Sequence, residues 1–464
     1  MAFIRRIKKG KSEYLVKVEN YREKGKVRQR VLKYLGKDIG GGKAEKRIYP
    51  SEIEVDFVKR YADGVVVDKI AKELKLLDCL GEYSKEILLL VYSHLIESNL
   101  SINRIEEWIE TTYLDSLLGI EKISTKRLYE GLTYLSSIDF SVMEDKIYEV
   151  LKAKQNKTEK ESVILDVTDT YFNDGNDIFS EKSRRGKDGK YKKLIQISLA
   201  INKTQGFPIL HKIYEGNVSN IHILKDMIIS LKMNGIKEFI VIDRGMSSRN
   251  NLEFLNELKV GIVAGLKRTK LLEEIVDKID REEIFSLKNW IKLVNTNVYA
   301  KEYPYMGNRV IVVYNPSLEV VKREMAYEHQ KKETGKERYA GYSFIYTNEE
   351  MSKEEVVRLY FEKEIIERSF KQMKGVLSLR PIRVWLKEHI IGHIRICYLA
   401  YCILSLFNYY IKGLKVSAPK ALEELKNSYI VNIKTKDSTF QSYRVVLKNI
   451  HKTILDKLGV VYKF

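Results

Sequence analysis

The sequence predicts an α/β protein with a mixed β-sheet core, a basic strand-rich N-terminal unit and a helical segment between them. Three observations carry this expectation. The hydrophobic period is helical from Ser51 to about Gln155 and turns strand-like at Ser162. From there the order is three strands, then helix, strand, helix, strand. Far downstream, Ser352 to Gly375 reads as one helix whose polar stripe a purely structural helix does not need. The length of 464 residues allows two to four structural units, and 44% hydrophobic with 31% charged residues describes a globular chain.

The elements follow in order. Glu13 to Glu19 alternates as a strand, Glu23 to Lys26 turns, and Val27 to Leu35 returns as a second strand. Gly36 to Gly42 reads as a glycine-rich linker. Helical period follows in Val67–Leu76, Ser84–Ser98, Ile102–Tyr113 and Thr125–Leu135. Val163–Val167 is a short apolar strand carrying Asp166; a glycine-containing polar loop (Arg184 to Gly189) leads to strands Leu194–Ile201 and Pro208–Tyr214. Then come a helix over Ile221–Met233, a strand Phe239–Ile242 ending at Asp243, a helix Ser248–Leu258 and a strand Gly261–Leu266. Val298–Tyr303 and Val310–Tyr314 form a hairpin about Met306-Gly307-Asn308. Lys322–Arg338 is highly charged and expected on the surface, and Tyr342–Thr347 is a strand. Val416–Phe464 reads as helix, short strand and helix. This is the order of an RNase H-like mixed sheet with a β-rich insertion. The expected units are 1–50 (basic, β-rich), 51–155 (helical, for DNA binding or packing), 156–268 with 339–412 (catalytic core), 269–338 (insertion) and 413–464 (C-terminal segment).

Charge points to a polyanionic partner. Lys+Arg 82 against Asp+Glu 63 gives +19, and residues 1–50 hold 16 Lys/Arg against 5 Asp/Glu, a net +11. The N-terminus lacks the apolar run of a signal peptide. Ile390–Ile411 is long enough to raise a membrane question, but it contains His393, Arg395 and Asn408 and reads as a buried core helix. No membrane partner and a cytoplasmic location are expected. Cys79, Cys397 and Cys402 form no C-x-x-C pair, and the expectation is buried thiols without a histidine at ligand spacing. Trp290 is expected in the core, with stacking on a displaced base as the alternative.

Three carboxylates carry the chemistry. Asp166 lies within the first core strand, where a carboxylate amid Val-Ile-Leu-Asp-Val is costly to bury without a partner. Asp243 ends the fourth strand. Glu367 lies on the downstream helix, which Ser352 and Glu355 open as a capping box. At 100° per residue from Tyr360, Lys363, Glu367 and Lys374 fall at roughly 300°, 340° and 320°, one narrow stripe beside the apolar side of Leu359, Ile366, Phe370 and Met373. Glu364 lies near it and competes with Glu367, and Lys371 also lies near the stripe. Thr168 shares the face of Asp166, and Asp169 points away from it. Two strand aspartates and one helix glutamate can hold two Mg²⁺ ions, with Mn²⁺ as a substitute; such hard oxygen ligands suit zinc less.

The spacing Tyr360-x2-Lys363-x3-Glu367-x6-Lys374 resembles the Y-x2-R-x3-E-x6-K signature of bacterial insertion-sequence DDE transposases of the insertion-sequence-four group. Leu-Asp-Val-Thr around Asp166, Val-Ile-Asp-Arg-Gly-Met around Asp243, Tyr214 to Asn217 and Gly392-His393-Ile394 are also similar to that group. Lys363 departs from it: lysine keeps the charge but loses the bidentate fork of arginine. The resemblance implies cut-and-paste transposition of an insertion sequence, with hydrolysis at terminal inverted repeats and strand transfer by the freed 3′-hydroxyl. It implies Asp166, Asp243 and Glu367 as catalytic metal ligands, and Tyr360, Lys363 and Lys374 as grips on DNA phosphates. The partners implied are double-stranded DNA, both transposon ends and target, and a second copy of the chain to pair the ends. A standalone metal-dependent DNA nuclease and a catalytically inactive DNA-binding relative are the alternatives.

Overall fold

The computed structural model describes residues 2–10, 12–45, 53–97, 100–155, 162–171, 184–185, 191–192, 194–233, 239–328, 336–435, 440–445 and 448–461. The chain divides into two compact units, Met1–Lys59 with Tyr429–Val445, and Arg60–Ser428 with Val446–Phe464.

In the first unit, strands β1 (Ala2–Lys9), β2 (Ser12–Glu23), β3 (Lys26–Asp38) and β4 (Ala44–Glu45) pair in order. Lys24 and Gly25 both have positive φ, so β2 and β3 are joined by the tight two-residue turn that suits a right-twisted hairpin. The glycine-rich stretch is no linker. Gly36 lies inside β3, and Gly40 to Gly42 turn the chain so that β4 pairs back on β3. The segment after it is also not helical at its start: β5 (Ile53–Arg60) is a strand whose Val55 and Val58 remain exposed. It forms a sheet of order β18-β17-β5 with the C-terminal strands Tyr429–Thr435 (β17) and Phe440–Val445 (β18), where the sequence suggested one strand.

The second unit opens with helices α1 (Ala62–Glu73), α2 (Leu76–Cys79), α3 (Ser84–Ile96), α4 (Ile105–Glu110), α5 (Leu114–Leu118), α6 (Thr125–Ser137) and α7 (Phe140–Lys152). The core adds β6 (Ser162–Tyr171), β7 (Arg184–Arg185), β8 (Tyr191–Lys192), β9 (Leu194–Asn202), β10 (Pro208–Glu215), α8 (Asn220–Met233), β11 (Phe239–Ile242), α9 (Arg249–Glu257) and β12 (Ile262–Leu266). Most of the expected loop from Arg184 to Gly189 lies outside the described residues. Next are α10 (Lys270–Asp277), α11 (Arg281–Ile284), β13 (Trp290–Lys292), β14 (Asn297–Tyr305), β15 (Asn308–Tyr314), α12 (Pro316–Glu328) and β16 (Tyr342–Thr347). The chain ends through α13 (Lys353–Phe361), α14 (Glu364–Gly375), α15 (Lys387–Tyr410), α16 (Ala418–Leu425) and α17 (Asn449–Lys457).

One sheet of nine strands organises this unit, in the order β10-β9-β6-β11-β12-β16-β15-β14-β13. Its first five strands, with β6, β11 and β12 parallel and β9 and β10 antiparallel, form the RNase H-like core. The β-rich insertion does not stand apart: β15 pairs with β16, so its strands continue the core sheet outward. Trp290 begins the edge strand β13 and is 41% exposed, so it is not the core residue expected. One face of the sheet (Val163, Leu165, Ile240, Ile242, Ile262) packs on Met227 and Leu231 of α8 and Leu252 of α9. The other face receives α13, α14 and α15.

Helix α15 is long and apolar enough to span a bilayer, but 83% of its apolar window is buried inside the protein. It is a core helix. Tyr398 on it stacks at 4.3 Å on His211, whose Nδ1 lies 2.7 Å from Glu144 of α7, tying strand β10 to two helices. Gly392 lets α15 lie directly against α6: a Cβ there would sit 2.5 Å from the Leu132 carbonyl oxygen. Gly392→Ala should therefore force two helix backbones apart and destabilise the fold by about 1–3 kcal/mol, read as a shift of the urea midpoint at constant slope.

Candidate active site

The carboxylates meet through sheet register. Strands β6 and β11 run parallel with Leu165 opposite Ile242, so the next residues, Asp166 and Asp243, are neighbours at the same level and on the same side. Adjacent strands lie about 4.8 Å apart. Asp166 accepts from the Val167 amide at 2.7 Å, which orients its carboxylate. Asp243 opens a tight turn, with the Met246 amide donating to its carbonyl at 2.9 Å.

The third carboxylate arrives on α14, but not by the continuous helix that the sequence suggested. The capping box at Ser352 and Glu355 is present and α13 starts there, yet it ends at Phe361. At the break, the amides of Lys363, Ile365 and Ile366 bond to Tyr360, Glu362 and Lys363, a tighter 3₁₀-like step. Its two residues are anchored in different directions, Glu362 to Lys203 beyond β9 and Lys363 to Asp243 beyond β11. Angles counted at 100° per residue therefore do not carry across it. Tyr360 and Lys363 turn to Asp243, while Glu367 and Lys374 belong to a second helical run.

Around Asp243 the bonds are close. Lys363 Nζ lies 2.5 Å from its carboxylate, and the Tyr360 hydroxyl donates to the same oxygen at 3.2 Å. Burial pushes the Asp243 carboxyl up, but the Lys363 ammonium, the Arg244 amide and Tyr360 outweigh it and hold the group below its ordinary value. Burial also pushes the Tyr360 hydroxyl up, which keeps it a donor. A carboxyl depressed in the fold contributes stability above its unfolded value and loses it as pH falls through the folded value. Lys363→Met leaves burial unopposed by the ammonium, so Asp243 should titrate at higher pH than in the parent. Carbon-detected NMR of the labelled carboxyl reads the shift, and an unchanged titration would mean the ion pair does not set it.

Glu367 is exposed and makes no hydrogen bond or ion pair within the described residues; it lines two cavities at once. One, of about 420 Å³, holds Asp166, Thr168, Lys371, Lys374 and Arg380. The other, of about 910 Å³, holds Asp243, Arg244, Lys267, Arg268, Lys322, Tyr360 and Lys363. Glu364 faces elsewhere, into a cavity with Lys203, Arg358 and Arg368, away from Asp166 and Asp243. Lys374 is engaged inside the protein, 3.7 Å from Asp169, the aspartate that strand alternation set apart from Asp166.

Several basic residues escaped the sequence reading. Arg244, Lys267 and Arg268 follow directly on the C-terminal ends of β11 and β12, the rim where α/β sheets bind ligands, and that position could have found them. Lys322 comes from the charged segment expected on the surface. Burial, then the charges of Arg244 and Arg268, push its ammonium down. Arg268 also pairs with Glu273 at 3.1 Å, and cations crowded beside one another in this way form a seat for a polyanion.

The sequence model described as the transposase DDE domain matches residues 157–403, a span holding all three carboxylates and both cavities. The chain belongs to the DDE transposase family. It is thus of a class of polynucleotidyl transferases and nucleases that generally use divalent metal ions. Among solved structures, piggyBac transposase, imaged by cryo-electron microscopy as a synaptic complex with hairpin DNA, is similar with a TM-score of 0.43 and 14% identity, over 79% of each chain. No curated protein matches the sequence.

The donor set fits hard divalent ions. Two aspartates side by side on neighbouring strands and an unengaged glutamate facing both supply only oxygen ligands. The Lys363 ammonium beside Asp243 shows that this carboxylate already draws a cation.

Proposed function

We propose that the chain is a cut-and-paste DNA transposase acting on the inverted-repeat ends of its own insertion sequence. The register of Asp166 beside Asp243, under a helix whose Glu367 faces both, is the observation that carries this reading. Asp166, Asp243 and Glu367 would hold two Mg²⁺ ions, or Mn²⁺ in their place. When bound, the ions supply an activated oxygen nucleophile and stabilisation of the leaving oxygen. The chain's own residues do the rest. Tyr360 and Lys363 fix the rotamer of Asp243, and on DNA binding Lys363 exchanges Asp243 for a phosphate. Arg244, Lys267, Arg268 and Lys322 bind the backbone of the duplex on one side of Glu367, and Lys371, Lys374 and Arg380 on the other. Hydrolysis at each end frees a 3′-hydroxyl, which then attacks target DNA in the same site.

The basic N-terminal unit, with its exposed Arg5, Lys17, Arg28 and Arg30, adds sequence-independent affinity for the repeats. Pairing two ends calls for two copies of the chain, acting in the cytoplasm on the nucleoid.

A strand-transfer assay separates this reading from a nuclease of the same fold. Purified chain with Mg²⁺, labelled transposon-end DNA and a target plasmid should give both cleaved ends and joined product. Cleavage without joining would favour the nuclease, and binding without either would leave an inactive DNA-binding relative.

A further inference from the structure

Away from the carboxylates, α3 and α15 bring together three side chains that phosphodiester chemistry does not use. His393 and Cys397 are four residues apart on α15, hence on one face, with Cys397 Sγ 3.8 Å from His393 Nε2. This corrects the expectation that no cysteine has a histidine at ligand spacing. His94 of α3 faces them, its ring centroid 5.3 Å from that of His393. The ligand atoms of all three lie within 4.8 Å of one another.

The surroundings orient the rings as metal ligands are oriented. His94 Nδ1 donates to the Leu90 carbonyl at 2.9 Å, which leaves its Nε2 as a lone pair. His393 bonds to the backbone of Ser378, while its Nε2 faces the sulfur. Such backbone bonds fix tautomer and aim in metal sites. Burial pushes both imidazoles down, His393 to about 3, so each is in its neutral, ligating form. The Cys397 thiol donates to the Leu377 carbonyl at 3.2 Å.

Two packed core histidines would account for neutral rings. They would not account for a cavity of about 500 Å³ onto which both rings open, lined also by Tyr129, Trp385 and His389. That cavity leaves room for a fourth ligand, the feature that separates an open metal site from a closed one.

We propose that His94, His393 and Cys397 bind one zinc-type divalent ion, with a water molecule from the cavity in the fourth position. Two imidazoles and one sulfur favour zinc or cobalt over magnesium. Bonds of about 2.3 Å to sulfur and 2.0–2.1 Å to nitrogen draw the donors in by about 1 Å. On binding, the sulfur–metal bond forms as the S–H bond breaks, and the proton leaves to solvent. The ion staples α3 to α15, joining the helical segment to the core.

The test uses the full chain, stripped with a chelator and titrated with Co²⁺ in saturating Mg²⁺, which keeps the carboxylates occupied. One equivalent should produce the near-ultraviolet thiolate-to-cobalt charge-transfer band and visible tetrahedral bands, both erased by added Zn²⁺. Cys397→Ser should abolish the charge-transfer band, and His393→Gln should weaken Co²⁺ affinity at least tenfold. Cys79→Ser, Cys402→Ser and Asp243→Asn should keep the band, which separates this site from the other two thiols and from the proposed DNA-cleaving centre. Absence of the band in the parent chain overturns the proposal, and that measurement needs no variant to fold. A band that survives Cys397→Ser overturns it equally.

Discussion

Alanine in place of Asp166, Asp243 or Glu367 should each abolish cleavage of transposon-end DNA, by about three orders of magnitude or more, roughly 4 kcal/mol of barrier. Binding to the same DNA should stay close to parental. The three side chains belong to three elements, β6, the turn after β11, and α14, so a common loss cannot come from damage to one of them. Glu367 is the sharpest case. It is exposed and bonds to nothing within the described residues, so its removal costs the fold almost nothing, and lost activity is lost chemistry. Asp243→Ala differs, because it leaves the Lys363 ammonium half-buried without its carboxylate, and its thermal unfolding needs recording beside its activity. Glu364→Ala is the internal control: it sits three residues before Glu367 but in another cavity, and should cut normally. Variants of the trio that cut at parental rates would sink the catalytic assignment and favour the inactive DNA-binding relative.

What the sequence disclosed depends on how local the cause is. The core strands and the two helices between them are set by hydrophobic period, and their order alone suffices for the RNase H-like sheet. Asp243 ends its apolar run and Asp166 sits inside its own, both local signals, while their meeting comes from the parallel register of β6 and β11. The break between α13 and α14 is not local, since it coincides with anchors at Lys203 and Asp243, about 160 and 120 residues upstream of their respective partners Glu362 and Lys363. No pattern within Ser352–Gly375 signals it. The insertion strands alternate like any hairpin and do not announce which sheet edge they join. The pairing of Lys374 with Asp169 was missed because alternation assigns a side to a carboxylate but says nothing of how far a lysine stem reaches. The histidine beside Cys397 was legible in its four-residue spacing; its partner His94, on a distant helix, was not.

Gly265→Ala should slow cleavage by roughly a hundredfold, the cost of misplacing a catalytic carboxylate by about an ångström, although Gly265 carries no chemistry. Its Cα lies on β12 under the ring of Tyr360, and a Cβ there would sit 2.0 Å from the hydroxyl oxygen and 2.6 Å from the ring carbon that bears it. An aromatic ring cannot bend, so Tyr360 must move as a unit and its 3.2 Å bond to Asp243 is lost. Lys363, three residues on and sharing that carboxylate, loses the neighbour over whose ring its ammonium lies at 4.8 Å. The strand itself need not suffer: φ at Gly265 is not positive, and alanine is tolerated in β backbone. A double-mutant cycle isolates the route. If the glycine acts by making room for the ring, Gly265→Ala should be nearly silent in a Tyr360→Ala background. Full additivity of the two would mean that the glycine serves the strand or the Ser247 hydroxyl bonded to its carbonyl, and not the tyrosine.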